Sequence, residues 1–131
     1  MSKMVIMMTC RLSTVWGPFI HGMLASYGCF CGAGGEKGKP VDGIDACCKK
    51  HDECYDAYIN SFSWSGCLQL PYIQTYSTDV GLGCWCAPQT PWYIPYGNNE
   101  CDYQVCQCDT NFVSCLAGQY APEYRKGCKS S

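Results

Sequence analysis

Cys47 and Cys54 stand seven residues apart, and so do Cys108 and Cys115. On a helix that spacing is two turns, so each pair lies on one face. Both pairs fall in stretches with helical periodicity. "DGIDACCKKHDECYDAYINS" carries Ile44, Cys47, Cys48, His51, Cys54, Tyr55 and Tyr58 at helical intervals, and residues 100–117 carry Cys101, Val105, Cys108, Phe112 and Cys115 on one stripe. Two antiparallel helices riveted twice, Cys47 to Cys115 and Cys54 to Cys108, satisfy the pattern. In that register residue 111 stands level with His51, and Asp109 lies about 3 Å along the axis at ~1.5 Å per residue, within reach of the imidazole. The chain has 14 cysteines, which allow on the order of 10⁵ pairings. Geometry favours this pairing without proving it.

That cysteine density, more than a tenth of 131 residues, indicates a disulfide scaffold in an oxidising, extracellular setting. A chain of this length can fold on ordinary burial, so bridges contributing roughly 2–5 kcal/mol each suit a protein exposed to proteases or lipid. The formal charge is -2, with 15% charged residues and no basic tract, which gives no reason to expect nucleic acid. The opening "MSKMVIMMTC" is too short an apolar run for a signal peptide and has no small-residue cleavage site, so the expectation is a mature form with an added or retained start. No run nears the roughly 18 apolar residues of a membrane span, and membrane contact is expected to be peripheral.

Along the chain, residues 1–12 read as a short helix tied down by Cys10, and 13–39 as glycine-rich loop. Pro40 and Asp42 supply helix-start chemistry for the first long helix. Residues 61–76 look irregular, and 77–99 mix β-formers with Gly81, Gly83, Pro88, Pro91 and Pro95, as in a short proline-limited hairpin. There is no internal repeat and no linker, so one domain over 1–131 is expected.

His51 with Asp109 has the form of a base and its orienter, the carboxylate fixing one ring nitrogen so that the other can take a proton. A buried histidine satisfied by a neighbouring helix fits the same residues. Tyr55, one turn on, can reach the same carboxylate, although tyrosine at that spacing is more often core. The loop "YGCFCGAGG" lets backbone carbonyls converge, the oxygen donors that Ca²⁺ takes, and Asp52 can add a carboxylate if Cys31 pairs with Cys48. A glycine-rich turn with no ion remains open. Zinc is disfavoured, because Cys29/Cys31, Cys84/Cys86 and Cys106/Cys108 are single-residue spacings without accompanying histidines. No G-x-S-x-G elbow is present. A histidine base beside a cation therefore points to an activated water.

The stretch from Tyr27 to Tyr55, "YGCFCGAGG…P.D..D.CC..HD.CY", closely resembles the calcium loop and active-site helix of secreted phospholipase A2. "CQCD" at 106–109 resembles that family's second catalytic segment, and "PYIQTY" at 71–76 its tyrosine-bearing loop. The resemblance covers most of the chain and implies a mainly α, disulfide-rich fold: two long antiparallel helices, a calcium-binding loop and a small β-hairpin. It implies secreted, calcium-dependent hydrolysis of the sn-2 ester of phosphoglycerides at a lipid–water interface. His51 would be the general base and Asp52 the calcium carboxylate, with the carbonyls of Phe30, Gly32 and Gly34 completing the protein ligands and the Gly32 amide holding the oxyanion. Asp109 would orient His51, Tyr55 and Tyr76 would bond Asp109, and Tyr72 would meet the lipid phosphate. Met4 and Met8 would face substrate. The implied bridges are Cys29–Cys128, Cys31–Cys48, Cys47–Cys115, Cys54–Cys108 and Cys67–Cys101.

The sequence departs from the family pattern in places. Phe30 replaces a usual tyrosine, Ala46 a common arginine, and "GGEKGKP" is one residue longer than the common loop. Spacing differs most around "GLGCWC", where Cys86–Cys106 and Cys10–Cys84 are the expected pairs. Cys10 and the short C-terminal end resemble the pancreatic and elapid-venom branch. Some members of the family keep the scaffold as weakly catalytic toxins or receptor-binding proteins after losing the calcium aspartate; both His51 and Asp52 are present here. With few cations, interface contact is expected to rely on Met4, Met8, Trp16, Phe19 and Ile20, aided by Lys37 and Lys39.

Overall fold

Asp42 caps the first of two long helices in the computed structural model of the protein, which describes residues 2–20, 23–31, 38–62, 76, 85–90, 98, 100–124 and 126–128. Its Oδ1 accepts the Asp45 N–H at 2.9 Å, and its carbonyl accepts the Ala46 N–H at 3.0 Å, closing the first helical turn. A cap of this kind contributes about 1 kcal/mol. The element order is α1 (Ser2–Arg11), a 3₁₀ turn (Thr14–Trp16), α2 (Gly17–Ile20), a 3₁₀ turn (Met23–Ser26), α3 (Gly43–Phe62) and α4 (Glu100–Ala117). The fold is mainly helical, as expected, and α4 spans the stretch that the cysteine and apolar periodicity marked out.

α3 buries Ile44, Cys47, Cys48, His51, Tyr55 and Tyr58, and α4 buries Val105, Cys108, Asp109, Phe112, Val113 and Leu116. These stripes face each other and are joined by Cys47–Cys115 and Cys54–Cys108, with Cα atoms 5.7 Å apart in both bridges. Cys31–Cys48 ties the glycine-rich loop to α3, Cys29–Cys128 ties it to the C-terminal segment, and Cys86–Cys106 ties the expected hairpin region to α4. Cys10 and Cys101 are also disulfide-bonded. The expectations for Cys67 and Cys84 lie outside the described residues. So does most of the 77–99 hairpin, of which a bridge between Gln89 and Asn98 is described.

α1 lies against α4. Arg11 donates to the Thr110 carbonyl at 3.4 Å and to Ser114 Oγ at 2.6 Å, and its guanidinium stacks over Trp85 at 3.8 Å. Residues 13–39 are not loop throughout. Thr14–Ser26 contains three short helical turns, which fold Trp16, Phe19 and Leu24 into the main core beside Met7, Met8 and Leu12.

That packing corrects the expected interface residues. Trp16 is 3% exposed and Phe19 is also buried, so neither ring is available to a lipid surface. Gly17 and Pro18 break the apolar period but leave enough helical backbone to turn both rings inward, where burying a large aromatic outweighs an interfacial placement. Among the described residues, the exposed aromatics are Trp85, Tyr120 and Tyr124. Ile20 is half-buried, and Lys37 lies outside the described residues.

Candidate active site

His51 sits mid-way along α3 on the face that meets α4, and the double bridge fixes which residue stands opposite. Its Nε2 lies 2.7 Å from Asp109 Oδ1. Asp109 is fully buried and accepts two further hydrogen bonds, from Tyr55 Oη to Oδ1 at 2.5 Å and from Tyr76 Oη to Oδ2 at 2.7 Å. A carboxylate that accepts three bonds holds the proton of His51 on Nε2, which leaves a lone pair on Nδ1 able to accept a proton. The imidazole is packed between the rings of Tyr55 and Phe112, with centroids 4.2 and 4.8 Å away. Burial pushes the Tyr76 phenol far above the ordinary phenol range, and the charge and hydrogen bond of Asp109 push it further. Tyr76 therefore stays a donor at neutral pH.

Asp52 follows His51 on α3 and is half-buried, with its Oδ2 shut off from solvent. Cys31–Cys48 holds the glycine-rich loop against the same helix one turn earlier. Phe30 contributes a buried ring, with the Lys49 ammonium 5.6 Å above it. Among the described residues no cluster of three or more His, Cys, Asp or Glu side chains could hold a metal. A hard cation takes oxygen ligands, and beside a carboxylate such as Asp52 its shell is completed by backbone carbonyls and water. A carboxylate oxygen held away from water, next to a loop that can supply carbonyls, fits a hard cation such as calcium.

The structure thus brings together His51, Asp109, Tyr55 and Tyr76; Asp52 follows His51 on α3, and Phe30 precedes the Cys31 that is bridged to that helix. Gly32, Gly34 and Tyr72 lie outside the described residues, as does the side chain of Met4. Met8 is buried in the main core. A cavity of about 380 Å³ lined by Tyr27, Asp42, Tyr120 and Lys126 lies at the N-terminal end of α3, and neither His51 nor Asp52 lines it.

Two groups around the site were missed by sequence reasoning. Phe112 was read only as part of the apolar stripe, though its ring covers the imidazole. Asp45 was read only as part of a motif, yet it is fully buried and accepts backbone N–H groups from the loop. No local spacing signals this role, because Cys29 and Phe30 lie on the loop well before the helix.

Residues 3–128 match the Phospholipase A2 family. Among curated relatives, Basic phospholipase A2 DE-1 from Hemachatus haemachatus is 43% identical over 96 residues, which cover 73% of this chain and 70% of the relative. Acidic phospholipase A2 KBf-grIB from Bungarus fasciatus is 38% identical over 105 residues, covering 79% and 68%. Acidic phospholipase A2 E from Naja oxiana is 40% identical over 94 residues, covering 72% and 68%. With a family match over nearly the whole length and a histidine–aspartate–tyrosine cluster between two cross-linked helices, the chain belongs to the phospholipase A2 family.

Proposed function

We propose that residues 1–131 form one domain that hydrolyses the sn-2 ester of phosphoglycerides at a lipid–water interface, in a calcium-dependent reaction. The observation that carries the reading is the buried network in which Asp109 accepts from His51, Tyr55 and Tyr76. It leaves the imidazole in one tautomer and one orientation. His51 Nδ1 takes a proton from water as that water attacks the ester carbonyl, and returns it to the leaving alkoxide as the tetrahedral intermediate collapses. Asp109 remains an acceptor throughout and holds the ring.

The groups that would hold calcium are Asp52 and the carbonyls of Phe30, Gly32 and Gly34. When bound, the ion supplies positive charge for the ester oxygen and the lipid phosphate. The Gly32 amide would donate to the oxyanion, and Tyr72 would meet the phosphate. The phospholipase names of the relatives support the ester specificity. The bridge density supports an extracellular setting, and no helix among the described residues is long and apolar enough to cross a membrane. The substrate is then met at a membrane or micelle surface.

Turnover should depend on His51 separately from calcium binding. His51→Gln is expected to bind calcium with wild-type affinity by titration calorimetry while fatty-acid release falls by roughly 10²–10⁴-fold, the usual worth of a general base. Retained turnover in that variant, or a covalent acyl-enzyme trapped during the reaction, would refute the direct attack of water.

A further inference from the structure

Between the glycine-rich loop and α3 stands a carboxylate with no solvent contact and no part in the proton chemistry. Asp45 Oδ2 accepts the N–H groups of Cys29 at 2.8 Å and Val41 at 2.9 Å, and Oδ1 accepts that of Phe30 at 2.7 Å. The loop backbone is drawn so close that a Cβ on Gly28, whose φ is +59°, would lie 2.4 Å from Asp45 Cγ. Only glycine suits both that approach and that backbone angle.

The consequence falls on Phe30. The peptide plane before it is fixed by the Phe30 N–H on Asp45. The plane after it is fixed by the Cys31 N–H, which donates to the Tyr27 carbonyl at 3.3 Å. A peptide group is planar and trans, so its carbonyl points opposite to its N–H. With both planes held, the direction of the Phe30 carbonyl is set by protein contacts alone. Asp45 lies nearly two turns of α3 before His51 and Asp52, so the same side chain sets the loop against the helix that carries the base and the cation carboxylate.

The geometry points to Asp45 as a positioning residue for the calcium site: it pre-forms the first half of the loop before the ion arrives and thereby sets calcium affinity. This rests on the calcium reading proposed above. It touches neither substrate nor ion and acts through the backbone of residues 28–31. Partners that orient ligands from behind are commonly worth 10–100-fold in metal affinity.

Asp45→Asn exchanges one acceptor oxygen for an NH₂ donor, so at least one of the three amides loses its partner whichever way the group lies. Titration of calcium chloride into the full chain should give a dissociation constant roughly 10- to 100-fold weaker for Asp45→Asn, with turnover recovered at saturating calcium. Val113→Ala, a fully buried core change in α4, should lower melting temperature without moving calcium affinity. Hydrogen exchange on calcium-free wild type should show protected amides at Cys29 and Phe30. Wild-type affinity in Asp45→Asn, or an equal shift in Val113→Ala, would overturn the inference alone. So would fast exchange at both amides, a result that holds even if Asp45→Asn fails to fold. A wild-type protein that takes up no calcium would overturn this inference together with the calcium reading.

Discussion

Asp109 organises the site at the scale of single residues. Its two oxygens take three donors in a place that water does not reach, and the donors come from two separate parts of the chain: His51 and Tyr55 on α3 and Tyr76 from the segment between the helices. Asp109→Asn keeps the shape but turns an NH₂ toward groups that are themselves donors. One buried donor left without its acceptor costs about 1–3 kcal/mol, so the variant should melt earlier. It should keep more turnover than His51→Gln, because the imidazole is still present but less well aimed. Melting curves and fatty-acid release on the same samples check both parts; a larger activity loss than in His51→Gln would contradict the orienting role.

At the scale of elements, much was legible in the sequence because the two long helices announce themselves by period. The seven-residue cysteine spacings set the antiparallel register, and that register by itself brings Asp109 within reach of His51. Asp42 marked where α3 begins. The short turns over Thr14–Ser26 were not legible, because each is too brief to display a period and Gly17 and Pro18 read as breakers. Trp16 was misplaced for the same reason: with no helix expected there, nothing showed that its ring turns inward. Asp45 was overlooked because its partners Cys29 and Phe30 lie far back in the sequence, where no helical or strand spacing connects them. The corrected placement makes Trp16 a core residue. Trp16→Ala should destabilise the fold by about 3–5 kcal/mol, seen in thermal or denaturant unfolding, while vesicle binding of the folded protein is unchanged. Weakened vesicle binding at unchanged stability would restore the interfacial reading.

For the whole molecule, the helices, loop and C-terminal segment are held by bridges that tolerate hard conditions, and the buried phenols set a limit at alkaline pH. Burial raises the Tyr27 phenol, helped by its hydrogen bond to Asp42. Burial likewise raises Tyr58, helped by the charge of Asp102, and Tyr76, helped by Asp109. In the unfolded chain these phenols lose protons near the ordinary value of about 10, while in the folded chain they keep them. Above that pH the unfolded state binds fewer protons, so stability falls as pH rises. Melting temperature should be steady below about pH 10 and decline above it, and Tyr76→Phe should flatten the decline. A melting temperature that rises through this range would contradict the burial of these groups.

The central claim, that this fold carries out calcium-dependent phospholipid hydrolysis from His51 with Asp52 holding the ion, is tested most directly by fatty-acid release from phosphatidylcholine micelles. The measurement is made with calcium, with chelator, and with calcium restored, on the wild-type protein and Asp52→Lys. The account predicts release with calcium, loss in chelator, full recovery on restoring calcium, and no release from Asp52→Lys in any condition. Undiminished release in chelator, or release from Asp52→Lys, would contradict it.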